Sequence, residues 1–248
     1  MKSFTFACAA ALLAVAAGSS QGALAQTKTG PTPQTYSNGG GSGFGGTLGA
    51  SSISFGSTSG NLDINFTPGG GLNDLVVIRL DTRNGGFGDS QMDDQGDSGR
   101  RASTSPIRDG FLNEPAGMST YSAGSTGGVS DFALVIGNFG VVLFELGANT
   151  TPNSLNFISF NAGTSVSIPM GTLGSPSTVD WFAYYTSDST FASNESFPAS
   201  AGYNGGANPG FGPGTFSLAD FNRYLVPAPG AAALLGLGAL VGTRRRRN

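Results

Sequence analysis

The chain has 248 residues, of which 41 are glycine and only 11% are charged. Glycine costs roughly 1 kcal/mol relative to alanine in a helix interior, so this composition favours short strands joined by tight turns. The sequence has no histidine, and its single cysteine is Cys8, which excludes Ser-His-Asp and Cys-His catalysis, histidine-ligated metals and thiolate zinc sites.

The first 25 residues have the features of a cleavable secretory leader, expected to be helical. Lys2 supplies the positive start, and Phe4–Ala17 is almost entirely apolar or small. Ala23-Leu24-Ala25 is an A-x-A cleavage site, which makes Gln26 the first residue of the mature chain. A retained membrane anchor is the alternative, but the apolar run is short for a span. We therefore expect signal peptidase to remove residues 1–25.

Residues 26–50 are rich in glycine, serine, threonine and proline. Gly41, Gly43 and Gly46 formally satisfy the dinucleotide-loop pattern G-x-G-x-x-G. Such a loop requires an apolar strand before it and a helix after it, and this segment has neither pattern. We expect a flexible lead-in here.

Short apolar segments then recur as far as residue 225, separated mostly by Gly, Pro, Asn and Ser. Asn61–Phe66 and Val166–Met170 alternate between apolar and polar residues, whereas Leu75–Leu80 is nearly continuously apolar. Eight or nine strands with this punctuation predict an all-β body over residues 51–225. The predicted architecture is a jelly-roll-like β-sandwich, with helix confined to the leader and to a C-terminal transmembrane segment.

Two segments of this body, Asn61–Ile64 and Asp74–Asp81, combine apolar strand residues with aspartate, and the second continues as TRNGG. Asp131–Gly137 extends the pattern. These segments show a resemblance to DOMON-like and family 9 carbohydrate-binding-type β-sandwiches, in which a hydrophobic strand ends in an aspartate and a Gly-Gly turn. This resemblance implies a sandwich fold and a glycan-binding module, and it assigns no ligand residue in this sequence.

The mature body is acidic. It carries seven basic and fifteen acidic residues, a net charge of −8. Such a charge repels nucleic acid and anionic membrane surfaces. Cations and neutral glycans are more compatible partners, and an extracellular polysaccharide is the partner we consider.

The densest carboxylate cluster lies within residues 85–99 and contains Asp89, Asp93, Asp94 and Asp97. Clustered hard oxygens suit Ca²⁺. The spacing of Asp93 and Asp97 matches the start of a calcium loop, but Ser98 replaces the expected glycine and Thr104 the expected acid. A solvated acidic loop neutralised by nearby arginines is the favoured interpretation, with Asp93 and Asp97 kept as weak calcium candidates and no cofactor expected.

Four aromatic residues fall within one predicted strand: Trp181, Phe182, Tyr184 and Tyr185. On a sandwich face they could stack on sugar rings. Because alternate residues point to opposite faces, however, both faces of this strand are apolar. That pattern favours a buried central strand.

Catalysis by paired carboxylates is not supported by the sequence. The body holds only three glutamates, Glu114, Glu145 and Glu195, and they lie in unrelated segments. A glycosidase needs two acidic side chains placed across one bond. We predict a non-catalytic protein.

The C-terminal segment combines a proline motif, an apolar run and an arginine cluster. The motif is Val226-Pro227-Ala228-Pro229, the apolar run is Ala231–Thr243, and the cluster consists of Arg244, Arg245, Arg246 and Arg247. Val226–Thr243 is 18 residues long, close to the roughly 17-residue minimum for a membrane helix. The arginines mark its end as cytoplasmic.

This segment, residues 226–248, resembles the PEP-CTERM sorting signal, with Ala228 standing where the family name has glutamate. The resemblance implies recognition by an exosortase, a membrane enzyme that cuts near the proline motif. It further implies membrane attachment before processing and a cell-surface or extracellular location afterwards. An unprocessed tail anchor is the alternative.

Overall fold

The computed structural model describes residues 23–83, 94–108, 112–113, 118, 130–146, 155–199, 216–217 and 220–228. Within these ranges the chain is mostly β-strand, with a single helix. The prediction of an all-β body is therefore confirmed at this level.

The described strands are, in chain order, β1 (Ala23–Thr29), β2 (Gln34–Tyr36), β3 (Ser52–Thr58), β4 (Asn61–Thr67), β5 (Leu75–Asp81), β6 (Leu112–Asn113), β7 (Phe132–Gly137), β8 (Gly140–Glu145), β9 (Asn156–Asn161), β10 (Ser165–Pro169), β11 (Thr178–Thr186), β12 (Ala192–Phe197), β13 (Phe216–Ser217) and β14 (Asp220–Leu225). The helix α1 spans Ser98–Arg108. Strands β6 and β13 form a separate short parallel pair.

The smaller sheet has the strand order β10-β4-β3-β2, and all its pairs are antiparallel. Strand β4 alternates as the sequence predicts: Leu62, Ile64 and Phe66 are buried, and the residues between them are more exposed. Val166 and Ile168 continue the buried face on β10. One face of this sheet therefore points into the core, and the other faces solvent.

The larger sheet has eight strands. Its main order is β1-β14-β11-β5-β7-β8-β9, with β12 also paired to β11. Only the β1–β14 pair at the edge is parallel. Strands β5 and β7 are buried at every position, which explains their nearly continuous apolar sequences.

Trp181 on β11 lies at the centre of the core that the two sheets share. Its ring stacks on Phe55 at 4.8 Å and on Phe197 at 5.4 Å, and Tyr36 approaches it edge-on at 5.0 Å. Phe55 and Tyr36 come from the small sheet, and Trp181 and Phe197 from the large one. Aromatic packing thus joins the two layers.

Helix α1 covers the opposite face of the large sheet, and its position corrects the prediction that helix is confined to the two ends. Asp97 caps its N-terminus by accepting the N–H of Arg100 at 2.8 Å. Tyr184 donates to the carbonyl of Ala102 at 2.9 Å, and Arg79 donates to that of Ser103 at 2.9 Å. The cap and these sheet contacts stabilise a helix whose sequence, with three serines, a threonine, a glycine and a proline, has little propensity of its own.

Residues 26–50 also differ from expectation, because they belong to the folded body. They contribute part of β1, all of β2 and a loop in which Leu48 is fully buried. The flexible lead-in predicted here is therefore wrong. Contacts with distant strands order this glycine-rich sequence, and local composition does not report such contacts.

Most of the leader and of the C-terminal segment lies outside the described residues. The predicted leader helix and the span Ala231–Thr243 fall in this part. Among the residues that are described, none forms a helix both long and apolar enough to cross a membrane.

We predict that Trp181→Ala lowers the free energy of unfolding by about 3–5 kcal/mol, because it empties the centre of the shared core. Phe157, which is 55% exposed on the edge strand β9, is the control, and Phe157→Ala should change stability by no more than about 0.5 kcal/mol. Urea unfolding of both variants measures the difference. Equal losses would contradict the assignment of Trp181 to the core.

Candidate functional site

The junction between the body and the predicted sorting tail lies at the end of β14. The N–H of Val226 donates to the carbonyl of Ser177 at 3.0 Å, and its side chain packs against the main core. Pro227 is half-buried, Ala228 is exposed, and Pro229 lies outside the described residues together with Arg244–Arg247. Val226, the first residue of the predicted proline motif, is thus held in place by the folded body.

Two buried tyrosines fix the backbone of β14 just before this junction. Tyr224 donates its hydroxyl to the carbonyl of Gly30 at 2.5 Å, and Tyr36 donates to the carbonyl of Arg223 at 2.5 Å. Burial raises the pKa of Tyr224 to about 12, because the buried site disfavours the charged phenolate. Strand β14 is therefore held in place up to the proline motif.

The predicted signal cleavage site lies in β1. Ala23 and Gln26 are paired with Asp220 and Asn222 of β14, and Ala25 sits at a register shift between them. Cleavage after Ala25 would leave Gln26–Thr29 as the mature part of this edge strand.

A buried carboxylate organises the glycine-rich loop at residues 42–49. Glu195, on β12, is fully buried. Its Oε1 accepts the N–H groups of Phe44 and Gly46 at 2.8 and 3.0 Å. Its Oε2 accepts those of Leu48 and Gly49 at 2.7 and 3.2 Å. Four backbone donors thus surround one carboxylate, the arrangement by which backbone loops bind anions.

Glycine is required at two places in this loop. Gly46 has φ of +78°, in the left-handed region. At Gly49 a Cβ atom would lie 2.0 Å from the carbonyl oxygen of Gly41. The glycines that formally match a nucleotide loop therefore belong to a segment that binds an anion of its own chain.

An arginine binds two of the four aspartates in the acidic cluster. Arg100 bonds to Asp94 at 2.8 Å and to Asp97 at 2.9 Å. Burial opposes ionisation of Asp94, but bonds from the Leu155 N–H, the Arg100 guanidinium and the Gly96 N–H outweigh it, so the pKa of Asp94 is lowered. Asp94 and Asp97 are thus bound within the fold.

Asp89 and Asp93 lie outside the described residues, so the calcium hypothesis for Asp93 and Asp97 stays a prediction. Within the described ranges no three acidic side chains form a group that could hold a metal ion. Asp97 itself is engaged as a helix cap and an ion-pair partner.

The aromatic strand is a core strand, as the two-faced apolar pattern predicts. Trp181 and Tyr185 belong to the cluster between the sheets, whereas Phe182 and Tyr184 belong to the cluster under α1. All four side chains are at most 2% exposed. They are not available to stack on sugar rings.

The structure also brings together a row of buried charges that sequence reasoning missed. Asp81 on β5 is paired with Asp180 on β11, which is paired with Arg223 on β14. Arg223 binds Asp180 through two bonds of 2.6 and 2.7 Å, and these raise the pKa of the guanidinium. Asp131 precedes β7 and donates its N–H to the carbonyl of Leu80, which places it beside this row.

Asp131 is fully buried and orders the chain after β5. Its Oδ2 accepts the N–H groups of Thr82 and Arg83 at 2.7 and 2.8 Å. Burial raises the pKa of this carboxyl even though those donors and the Arg83 guanidinium oppose the shift. The sequence signal for these charges is limited to Asp81 and Asp131, which flank apolar strands in segments that carry the sandwich resemblance.

No family model, no curated protein and no solved structure matches the chain. The resemblances to PEP-CTERM tails and to DOMON-like sandwiches therefore stay predictions from the sequence. Function must be inferred from the residues and their geometry.

We predict that Glu195→Gln lowers the free energy of unfolding by about 2–4 kcal/mol. The amide retains one acceptor oxygen, but its NH₂ group faces two backbone donors that are left without an acceptor. Asp188→Asn, in an exposed turn, is the control and should cost at most about 0.5 kcal/mol. Chemical unfolding of both variants makes the comparison, and a Glu195→Gln variant as stable as wild type would contradict the role of the carboxylate.

A second prediction concerns the contribution of Asp94 to stability at low pH. Because the folded-state pKa of Asp94 is lowered, its contribution to stability is full above the unfolded pKa of about 3.9 and is lost as pH falls through the folded value. Asp94→Asn should therefore reduce the melting temperature at pH 7, and the gap from wild type should narrow below about pH 4. A gap that stays constant from pH 7 to pH 2.5 would show that Asp94 does not titrate in this way.

Proposed function

We propose that this chain is an exported, non-catalytic surface protein whose β body is delivered by a C-terminal sorting tail. The observation that carries the proposal is the order of features in the chain: a leader, a folded body, a proline motif, an apolar run and four arginines. The leader would place the body outside the cytoplasm, and the arginines would keep the C-terminus inside. Signal peptidase and an exosortase are the processing partners. The proposal also includes a jelly-roll-like arrangement of the strands, a helical leader and a C-terminal transmembrane helix.

The position of the body–tail junction supports processing without damage to the fold. A protease needs an extended segment that is free of secondary structure, whereas Val226 is bonded to Ser177 and packs on the core. Strand β14 ends at Leu225 and the exposed Ala228 follows soon after. A cut beyond Val226 would therefore release the body with all its described strand contacts intact.

The environments of the glutamates support the non-catalytic part of the proposal. Glu195 is fully buried among backbone N–H groups. Glu145 forms an ion pair with Arg83, which lowers its pKa and removes it from the range of a general acid. Glu114 lies outside the described residues.

We predict that the protein recovered from cells containing an exosortase ends within residues 226–229, as measured by the mass of its C-terminal peptide. Pro227→Ala with Pro229→Ala should leave an uncut chain in the membrane fraction, because prolines break the helix and expose the backbone to the enzyme. Replacing Arg244–Arg247 by serine should abolish membrane retention, since each arginine at the membrane centre costs at least about 2.5 kcal/mol.

The matched control is Pro31→Ala with Pro33→Ala, which makes the same two changes at exposed positions in the body. That variant should be cut like wild type. A wild-type protein that still ends at Asn248 would overturn the sorting proposal and leave an uncut anchor.

A further inference from the structure

The outer face of the small sheet carries a groove of about 330 Å³. Its floor is formed by cross-strand neighbours on β3, β4 and β10. One row is Ser54–Asn65–Ser165 and another is Asp63–Ser167, and the pair Ile64–Val166 lies between them. Every residue in the first two rows has a hydroxyl, amide or carboxylate group on a short side chain.

Two further lining residues come from outside the floor. They are Pro33, in the segment before β2, and Asn161, at the end of β9. The proline segment is fixed because the carbonyl of Pro31 accepts the N–H of Ser57 at 3.0 Å. It packs directly on β3, since a Cβ atom at Gly56 would be in ordinary contact with the Pro31 oxygen at 3.4 Å.

The polar groups of the floor are already ordered. Asp63 accepts the hydroxyl of Ser167 at 2.6 Å and also that of Thr58. Asn65 accepts the hydroxyl of Ser165 through its amide oxygen, and its amide group carries two further N–H donors. Short side chains held in this way lose little rotamer entropy when a ligand binds.

We propose that this groove binds a neutral, hydroxyl-rich polysaccharide. Sugar hydroxyls both donate and accept hydrogen bonds, which matches a floor that mixes carboxylate, amide and hydroxyl groups. The lining residues include one carboxylate and no basic side chain, and the body has a net charge of −8, so an anionic polymer is disfavoured. The volume lies at the lower end of the range for small-molecule sites, about 300–1,000 Å³, which suits a short stretch of sugar chain.

The site is distinct from the buried aromatic strand, and the inference does not depend on the sorting tail. A polysaccharide-binding body could be exported with or without cleavage. The mass of the C-terminus therefore tests sorting alone, and polysaccharide binding tests the groove alone.

The test is affinity electrophoresis of the full chain, purified in detergent, through gels that contain hydroxyethyl cellulose, dextran, galactomannan or anionic alginate. At least one neutral polymer should retard the protein, and alginate should not. Asn65→Lys should weaken that retardation at least tenfold, because a long charged side chain fills the groove.

Thr67→Lys is the matched control. Thr67 lies two residues further along β4, on the same face and exposed, but outside the groove lining. The Thr67→Lys variant should bind the neutral polymer within twofold of wild type.

Ser165→Lys, from the neighbouring strand, replaces Asn65→Lys if the latter fails to show a wild-type circular dichroism spectrum. Absence of retardation by every neutral polymer, retardation by alginate alone, or equal binding by the groove and control variants would each overturn the proposal.

Discussion

The fold depends on one constraint: the central strands of the large sheet are apolar on both faces and must be covered on both. Strands β5, β7 and β11 are buried along nearly all of their length. The small sheet covers one face through the aromatic cluster around Trp181. Helix α1 covers the other, where Ala102 joins a cluster that includes Phe182 and Tyr184. A simple pair of sheets would leave the second face in water, so the helix is required by the same sequences that form the centre of the sheet.

Local periodicity was sufficient to predict the all-β class, the longer apolar strands and the burial of the aromatic segment, because each of these follows from the spacing of apolar residues within a few positions. It did not predict β12, which carries Glu195 and Phe197. It failed for α1 and for residues 26–50. Arg79 and Tyr184, distant in sequence, hold the helix through its carbonyl groups. The glycine-rich loop is ordered by Glu195, about 150 residues further along the chain. Neither contact leaves a signal in the segment that it orders.

The same distinction applies to the candidate sites. A sorting tail and a cleavage motif could be predicted from the sequence because short contiguous patterns define them. The groove on the small sheet could not, since its floor joins residues from β3, β4 and β10 that are ordinary serines and asparagines when viewed one by one. Only strand register places Ser54, Asn65 and Ser165 in one row. Sites of this kind follow from topology, and composition alone does not reveal them.

Strand β14 has a mechanical consequence for a body tethered through its C-terminus. It lies between β1, which runs parallel to it, and β11, which runs antiparallel. Tension applied beyond Leu225 acts along the strand axis, so the hydrogen bonds on both of its sides are loaded together in shear and are not peeled apart one at a time. The ion pair of Arg223 with Asp180 and the hydroxyl bond from Tyr224 to Gly30 resist the same displacement. Strand β14 is thereby secured on both sides, which would suit the proposed attachment through the C-terminal tail, where the body would have to remain folded under tension.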